Sequence, residues 1–251
     1  MSLVGARFGE EGRRLSYGSY LMIPELLDLQ QRLTAEHDEL LFIVAHQAYE
    51  LWFKVVLSEL EATRACIDRD DIFFARHHLR RVYVIEQLLV EQIQVLETMS
   101  PLDFLAFREQ LAPASGFQSV QFREIEYLSG LKDAKYLTRV ESTPEEMKRL
   151  RRRLDEPSVA DAFRALVVRR GSPALLDIFR HRERHGDLFD LSEALLDHDE
   201  AFAHWRARHV LMVERQIGSK RGTGGSTGAK YLRTTLDKRF YPDLWDLRSQ
   251  L

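Results

Sequence analysis

Two histidines in apolar company are the residues of this chain best suited to chemistry. His46 lies in LLFIVAHQAYELWFK (40–54), and His209 lies in FAHWRARHVLMV (202–213). Burying an imidazole costs free energy unless a partner satisfies its ring nitrogens. Taken alone, each histidine is more often a hydrogen-bonded core residue. Two of them on separate helical segments indicate a ligand or cofactor held between helices, and histidine is the usual axial ligand of haem iron.

An arginine next to aromatic residues is a second candidate. Arg108 follows Phe104 and Phe107 in the segment LDFLAFREQL. A guanidinium in such surroundings needs an anion, and its planar fork suits a carboxylate. A salt bridge to Glu109 or to a neighbouring helix would satisfy it as well. The local sequence therefore leaves open whether the anion is a ligand or a protein side chain.

A glycine-rich stretch, KRGTGGSTG (220–228), is the third feature. It does not fit a nucleotide-binding P-loop, because Gly228 is followed by Ala229 and Lys230 and the preceding segment is helical. Two interpretations remain. The stretch is either an ordinary mobile connector or a loop whose backbone amides close over a small ligand, with Thr223 supplying a hydroxyl.

Composition limits the classes of partner. The chain has 251 residues, is 45% hydrophobic and carries a formal net charge of −3, which gives no reason to expect nucleic acid or an anionic membrane. The single cysteine, Cys66, excludes an intrachain disulfide and favours a reducing compartment. The longest strongly apolar run, LLFIVA (40–45), is far shorter than the roughly 20 residues of a membrane span. We predict a soluble cytoplasmic protein.

Helical periodicity predicts the elements that must position these residues. Long helices are expected over 37–64, 72–99 and 187–217, and a short one over 20–33. Further helix starts are indicated at Ser100-Pro101, Thr143-Pro144, Ser158 and Ser172-Pro173, with a stop before Ala112-Pro113. No alternating strand pattern and no internal repeat is found. The prediction is an all-α helical bundle forming one domain over 1–251, with an N-terminal arm (1–20) and an outer helical segment (130–195).

Five blocks resemble the tryptophan 2,3-dioxygenase family in order and spacing. They are YGSYL (17–21), EHDELLFIVAHQAYELWFK (36–54), LETMSPLDFLAFREQLAPASGFQSVQFR (96–123), WRARHVLMVERQIGSKRGTGGSTG (205–228) and YLRTTLDKRFYPDLWDL (231–247). Together they cover more than half of the chain, and HQAYELWFK, LAPASGFQS and SKRGTGGSTG are specific signatures. Residues 130–195 match the family poorly, so we expect this segment to be variable.

The resemblance implies a haem b cofactor with ferrous iron and O₂ as co-substrate. His209 would be the axial ligand of the iron, and His46 would lie on the opposite side, close to the indole N–H of the substrate, where it positions rather than acts as an obligatory base. Arg108 would bind the substrate carboxylate as a bidentate pair. Thr223 would contact the ammonium and carboxylate end.

The remaining implied site residues are aromatic or lie in turns. Phe42 and Phe104 would wall the indole pocket, and a second group, Ser115 and Gly116, would lie near the haem edge. Tyr17 and Tyr20 match tyrosines on an N-terminal arm that, in this family, is exchanged between subunits and reaches the neighbouring active site. The family resemblance also implies a homotetramer.

The implied reaction is cleavage of the indole C2–C3 bond of L-tryptophan by O₂ to give N-formyl-L-kynurenine, the first step of the kynurenine route of tryptophan catabolism. One alternative is a haem oxygenase of the same superfamily that acts on a substituted tryptophan, such as β-methyl-tryptophan, or inserts one oxygen atom rather than two. Two others are a non-catalytic haem-binding sensor and a plain helical scaffold. The pocket residues named above do not separate the first two.

Overall fold

A computed structural model describes residues 16–138, 142–171 and 173–251, and no strand occurs among them. The predicted all-α class is confirmed. In chain order, the α-helices of these residues are α1 (Tyr17–Tyr20), α2 (Ile23–Leu27), α3 (Glu39–Asp68), α4 (Ile72–Glu97), α5 (Pro101–Arg108), α6 (Val120–Ser129), α7 (Pro144–Asp155), α8 (Val159–Arg169), α9 (Leu175–Arg180), α10 (Gly186–Ile217), α11 (Ala229–Arg233) and α12 (Pro242–Asp246). Short 3₁₀ turns occupy Glu109–Leu111, Gly116–Gln118, Ala134–Thr138 and Leu247–Gln250.

The core is built on the three long helices. A tight turn at 69–71 joins α3 to α4, so the two run antiparallel, and α4 packs between α3 and α10. The apolar stripe of α4 is buried at every position: Leu79, Val82, Ile85, Leu89, Ile93 and Leu96. Each such side chain contributes roughly 1.5–3 kcal/mol by leaving water. Helices α6 and α8 cover the other side of α3.

The predicted helix starts are largely confirmed by their caps. The Ser100 hydroxyl accepts a hydrogen bond from the Asp103 amide at 3.2 Å, and capping boxes begin α7 at Thr143 and α8 at Ser158. Helix α9 starts later than predicted, at Leu175, because Ala174 keeps an extended backbone (ψ 139°) in the N-cap position. Ser172 itself lies outside the described residues.

The predicted helix over 20–33 is wrong in its extent. Two short helices, α1 and α2, replace it, and the chain breaks between them because Met22 adopts a left-handed backbone with φ 51°. After α2 the chain turns so that the Gln30 amide donates to Leu26 O at 3.0 Å and to the Gln47 side chain at 2.6 Å. The side chains of Gln30 and Gln47 therefore hold this segment against α3.

Helix α3 has two different faces. Tyr49, Phe53 and Leu60 lie in the core, whereas Leu40, Val44 and Leu51 remain exposed. Among the described residues, α3 is the one helix long and apolar enough to cross a membrane by length and composition, a test that core helices also pass. Its contacts with α4, α6 and α8 make it a central helix of the bundle.

Candidate active site

A cavity of about 290 Å³ lies between α3, α5, α10 and the glycine-rich loop. Eight of the ten residues predicted for the site line it: Phe42, His46, Phe104, Arg108, Ser115, Gly116, His209 and Thr223. These residues come from five separate stretches of the chain. The bundle therefore brings together side chains that the sequence separates by as much as 181 positions (42 to 223).

His209 projects from α10 into this cavity without a protein partner. Among the described residues neither of its ring nitrogens makes a hydrogen bond, and its ring stacks on Trp205 with the centroids 5.0 Å apart and an interplanar angle of 15°. Burial, with a smaller contribution from the nearby His46, lowers the pKa of His209 to about 4. The imidazole is therefore neutral at pH 7, with a lone pair available to a ligand.

His46 is half satisfied. Its Nδ1 lies 2.7 Å from the carbonyl oxygen of Phe42, one turn earlier on α3. A carbonyl oxygen can only accept, so Nδ1 carries the hydrogen and Nε2 of the neutral ring is an acceptor. Burial lowers the pKa of His46, although the bond to Phe42 and the carboxylate of Glu50 oppose the shift. The free nitrogen can accept a hydrogen bond from an N–H group in the cavity.

Arg108, at the end of α5, has no anion of its own. Its guanidinium donates to the carbonyl oxygen of Arg221 in the glycine-rich loop. Among the described residues no carboxylate pairs with it, so the salt bridge to Glu109 considered from the sequence is not formed. A guanidinium has five N–H donors in a planar fork. The remaining donors are available to a carboxylate that enters the cavity.

The glycine-rich loop lies directly against the turn that carries Ser115. The Thr223 hydroxyl donates to the Ala114 carbonyl at 2.6 Å. A Cβ atom on Gly224 would stand 2.7 Å from the Cβ of Ser115, which is closer than carbon atoms approach. Gly228, with φ 62°, lets the loop turn back on the Lys220 carbonyl. Glycine is thus required where the two segments close one edge of the cavity.

Aromatic rings form the apolar wall of the cavity. Phe42 and Phe104 stack with centroids 5.7 Å apart and an interplanar angle of 27°. Phe107 meets Phe104 edge to face at 5.5 Å, and the Phe42 ring lies 4.1 Å from the His46 imidazole. A wall of this kind suits a planar aromatic ligand whose one polar atom faces the imidazole.

The sequence matches the family model described as tryptophan 2,3-dioxygenase over residues 4–173 and 153–251. A protein of that name from Nocardioides sp. is 53% identical, over 97% of this chain and 97% of its own length. Those from Herpetosiphon aurantiacus and Pseudomonas fluorescens are 45% and 40% identical, over 94% of this chain and 98% and 91% of their own lengths. The chain belongs to the tryptophan 2,3-dioxygenase family. The family predicted from the sequence is therefore confirmed.

The tryptophan 2,3-dioxygenase family is haem-dependent, and the cavity residues fit one axially ligated haem. No group of three or more metal-ligating side chains occurs among residues 16–138, 142–171 and 173–251. The central cavity instead offers one neutral histidine without a hydrogen-bond partner, His209. One such ligand suits a metal whose other ligands come from a porphyrin. The aromatic and aliphatic lining around it, including Trp205, Met212 and Val213, suits the apolar faces of such a ring.

Sequence reasoning missed an ionic cluster at the inner end of the cavity. Arg123, Glu126 and Arg206 all line the cavity and are buried. The Arg206 guanidinium donates to Glu126 Oε1 at 2.8 Å and to the Lys238 carbonyl at 3.0 Å, and Arg123 pairs with the same carboxylate. The spacing of Arg123 and Glu126, one turn apart in a buried helix, could have indicated their ion pair from the sequence. The third member, Arg206, lies on α10 and could not be assigned to the cluster in this way.

Two predicted site residues stand apart from the cavity of their own chain. Tyr17 and Tyr20 form part of α1 and are 79% and 70% exposed, and neither lines the cavity. The first fifteen residues of the predicted arm lie outside the described residues.

Proposed function

We propose that this chain is a haem-dependent dioxygenase that cleaves the indole C2–C3 bond of L-tryptophan with O₂ and releases N-formyl-L-kynurenine. This is the reaction that its family name describes, and it opens the kynurenine route of tryptophan catabolism. One observation carries the assignment: a neutral imidazole without a partner (His209) and a guanidinium without an anion (Arg108) face the same aromatic-walled cavity. A scaffold protein would gain nothing from leaving both groups unsatisfied.

In this proposal His209 would hold the iron of haem b, and Ser115 and Gly116 would lie beside the haem. When bound, the ferrous haem supplies the binding and activation of O₂. In this proposal His46 serves the substrate rather than the metal: Nδ1 donates to the Phe42 carbonyl, and Nε2 would accept a hydrogen bond from the substrate. His209 would therefore be the one side chain of the cavity that holds the iron, and O₂ would be bound by the cofactor.

The protein's own contribution is to hold the amino acid in one orientation. Arg108 pairs with the substrate carboxylate. The Thr223 hydroxyl donates a hydrogen bond to the Ala114 carbonyl, so the lone pairs of its oxygen are left to accept from the substrate ammonium. Phe42 and Phe104 would form the wall of the indole pocket, and Nε2 of His46 would accept a hydrogen bond from the indole N–H.

Fixing both ends of the substrate holds the amino acid in position to react with O₂ within one complex. This preorganisation lowers the activation free energy of the reaction. The loop that carries Thr223 packs on the turn at Ser115 and closes one edge of the cavity against water. Binding, orientation and water exclusion thus all depend on residues of this chain, while the oxygen chemistry depends on the cofactor.

We further propose that the chain is a single domain that works as a homotetramer. The exposed apolar stripe Leu40, Val44 and Leu51 on α3 is the kind of surface that a second copy covers. The exposed Tyr17 and Tyr20 would then reach a neighbouring subunit's cavity. A cytoplasmic location and the absence of nucleic-acid and membrane partners stay predictions, as does the variability of residues 130–195.

The direct test is product analysis under ¹⁸O₂. Haem-loaded, reduced protein is mixed with L-tryptophan and, in a parallel reaction, with β-methyl-tryptophan. We expect N-formyl-L-kynurenine carrying two ¹⁸O atoms from L-tryptophan, with kcat/KM higher than for the methylated substrate. A product with one ¹⁸O atom, or a preference for the substituted substrate, would favour the alternative oxygenase of secondary metabolism. Bound haem without turnover of either substrate would reject the enzyme assignment.

A further inference from the structure

A second cavity, of about 470 Å³, opens on the surface beyond the end of α6. It shares no lining residue with the central cavity. Its walls are the chain after α6, one face of α8 and the segment 238–242 that leads into α12. Its charged lining residues are Lys132, Lys135, Arg164, Lys238, Arg239 and a single carboxylate, Asp133.

The positive charge in this outer cavity is only partly neutralised. The Lys238 ammonium lies 3.8 Å from Asp133. Lys132 and Arg164 share Asp161, at 3.7 Å and 3.5 Å, and Arg164 also pairs with Asp243 at 3.0 Å. Five cations against these three carboxylates leave a formal charge of +2, in a chain whose net charge is −3.

Two of the cations have no carboxylate partner among the described residues. Lys135 makes no side-chain contact with an acid. Arg239 donates to the carbonyl oxygens of Leu236 and Lys238 at 3.0 Å and 3.1 Å and lies 5.1 Å from the Trp245 ring centre. A guanidinium held by carbonyls and an aromatic face keeps its full positive charge for a ligand.

The backbone behind these cations is fixed. The Lys238 carbonyl accepts from buried Arg206 at 3.0 Å, and the Phe240 amide donates to buried Asp199 at 2.8 Å. At Gly130, φ is 142°, and a Cβ atom would stand 2.9 Å from the Phe240 carbonyl oxygen, so only glycine lets the two walls approach. The cationic side chains therefore project from a preorganised frame, which lowers the entropic cost of binding a ligand.

We propose that this outer cavity is a binding site for a small dianionic oxyanion. The unbalanced charge of +2 matches a dianion, and Arg239, which uses only one nitrogen for its carbonyl contacts, offers the planar N–H fork that recognises phosphate or carboxylate oxygens. Phosphate monoesters and dicarboxylates share this chemistry. The outer cavity shares no lining residue with the central cavity, so the site is independent of the proposed reaction there.

Isothermal titration of the purified, haem-loaded full chain with sulfate tests the charge argument. Methanesulfonate has a similar shape and one charge fewer, and both titrations are run at the same ionic strength. We expect saturable sulfate binding, and binding of methanesulfonate weaker by about tenfold, equivalent to roughly 1.4 kcal/mol. Parallel titrations with inorganic phosphate and succinate distinguish the two sources of the dianion. No saturable binding of any of the three dianions would overturn the proposal.

Paired substitutions locate the site. The double variant Lys135→Gln/Lys238→Gln removes two lining cations, whereas Lys54→Gln/Lys148→Gln removes two exposed lysines elsewhere. The first pair should weaken sulfate binding by about tenfold or more, and the second should leave it unchanged. Equal effects of the two pairs would show nonspecific charge attraction and reject the site.

A third variant, which removes a negative charge instead of positive ones, keeps the test valid if the double lysine variant fails to fold. Asp133→Asn removes the one carboxylate that lines the outer cavity. In the wild-type chain the Lys135 amide donates to Asp133 Oδ1 at 3.1 Å, and the asparagine side chain keeps an oxygen that can accept this bond. Sulfate binding by this variant should tighten severalfold. Unchanged or weaker binding by a variant that melts like the wild type would contradict the proposal.

Discussion

Helix α10 carries two enclosed histidines, about three turns apart, that the protein treats in opposite ways. His198 is fully buried, with Nδ1 2.8 Å from Glu86 Oε1 and Nε2 2.9 Å from the Ser129 hydroxyl. His209 has no hydrogen-bond partner among the described residues and faces the central cavity. Residue type and helix are shared, but His198 is fully buried and given partners, whereas His209 is half-buried at the cavity wall and is given none. A buried imidazole that the protein satisfies is structural, and one that it leaves open is kept for a ligand.

The alanine variants of His198 and His209 should differ in their free energy of unfolding. Replacing His198 by alanine leaves the Glu86 carboxylate buried without its partner, so we expect the free energy of unfolding to fall by about 3–5 kcal/mol. His209→Ala only enlarges an existing cavity, and in haem-free protein it should cost about 1 kcal/mol or less. Urea denaturation of the haem-free variants measures both. Equal losses would remove the distinction.

The same contrast extends to arginine. Arg206 is buried and pairs with the Glu126 carboxylate at 2.8 Å, whereas Arg108 has no carboxylate partner among the described residues. Arg108→Ala should lower kcat/KM for L-tryptophan by about 100-fold, or roughly 2.7 kcal/mol, while stability changes little. Arg108→Lys keeps the charge but not the fork and should recover only part of the loss. Near-normal steady-state kinetics in the alanine variant would contradict the carboxylate assignment.

His46 combines both situations in one ring, since only Nδ1 is satisfied. Burial lowers its pKa below the ordinary value of 6.5. It is therefore neutral at pH 7 and takes up a proton only on the acid side of 6.5, where Nε2 would become a donor. We expect kcat/KM to be flat from about pH 7 to 8 and to fall at lower pH.

The matched variant His46→Ala should lose this acidic limb and lower the plateau by about tenfold, the scale of one hydrogen bond. The measurement is a pH profile of kcat/KM for both proteins. An acidic limb that is unchanged in His46→Ala would assign it to another group and leave the indole N–H contact without support.

The smallest effect is expected in the loop. Thr223→Ala removes the 2.6 Å bond to the Ala114 carbonyl and the acceptor for the substrate ammonium. KM for L-tryptophan should rise about fivefold, near 1 kcal/mol. Thr223→Ser keeps the hydroxyl and should retain nearly the wild-type KM. If serine and alanine behave alike, the hydroxyl has no part in binding.

Helix starts and helix periodicity could be predicted from the sequence because they depend on residues close together in the chain. The caps at Ser100, Thr143 and Ser158, and the buried stripe of α4, depend on residues within one or two turns of each other. The break at Met22 escaped the prediction because helical periodicity continues through it while the backbone does not.

Partners that meet through tertiary packing were not predictable in the same way. Glu86 and Ser129 lie 112 and 69 positions from His198, and the sequence around His198 does not indicate that it bonds to them. The apolar surroundings of His209 single it out in the sequence, and the family resemblance implies its role, but the absence of its hydrogen-bond partners is visible only in the fold. The lack of an anion at Arg108 likewise required the structure, since Glu109 is adjacent in sequence yet does not pair with it.

The central claim is that His209, and no other histidine of α10, holds the iron. The most direct measurement is the ratio of haem to chain, from the Soret absorbance, in His209→Ala with and without added imidazole. We expect this variant to lose most of its haem and to regain it when imidazole fills the vacated position, while folded His198→Asn keeps one haem per chain. A His209→Ala protein with a full complement of haem and an unchanged Soret band would contradict the account.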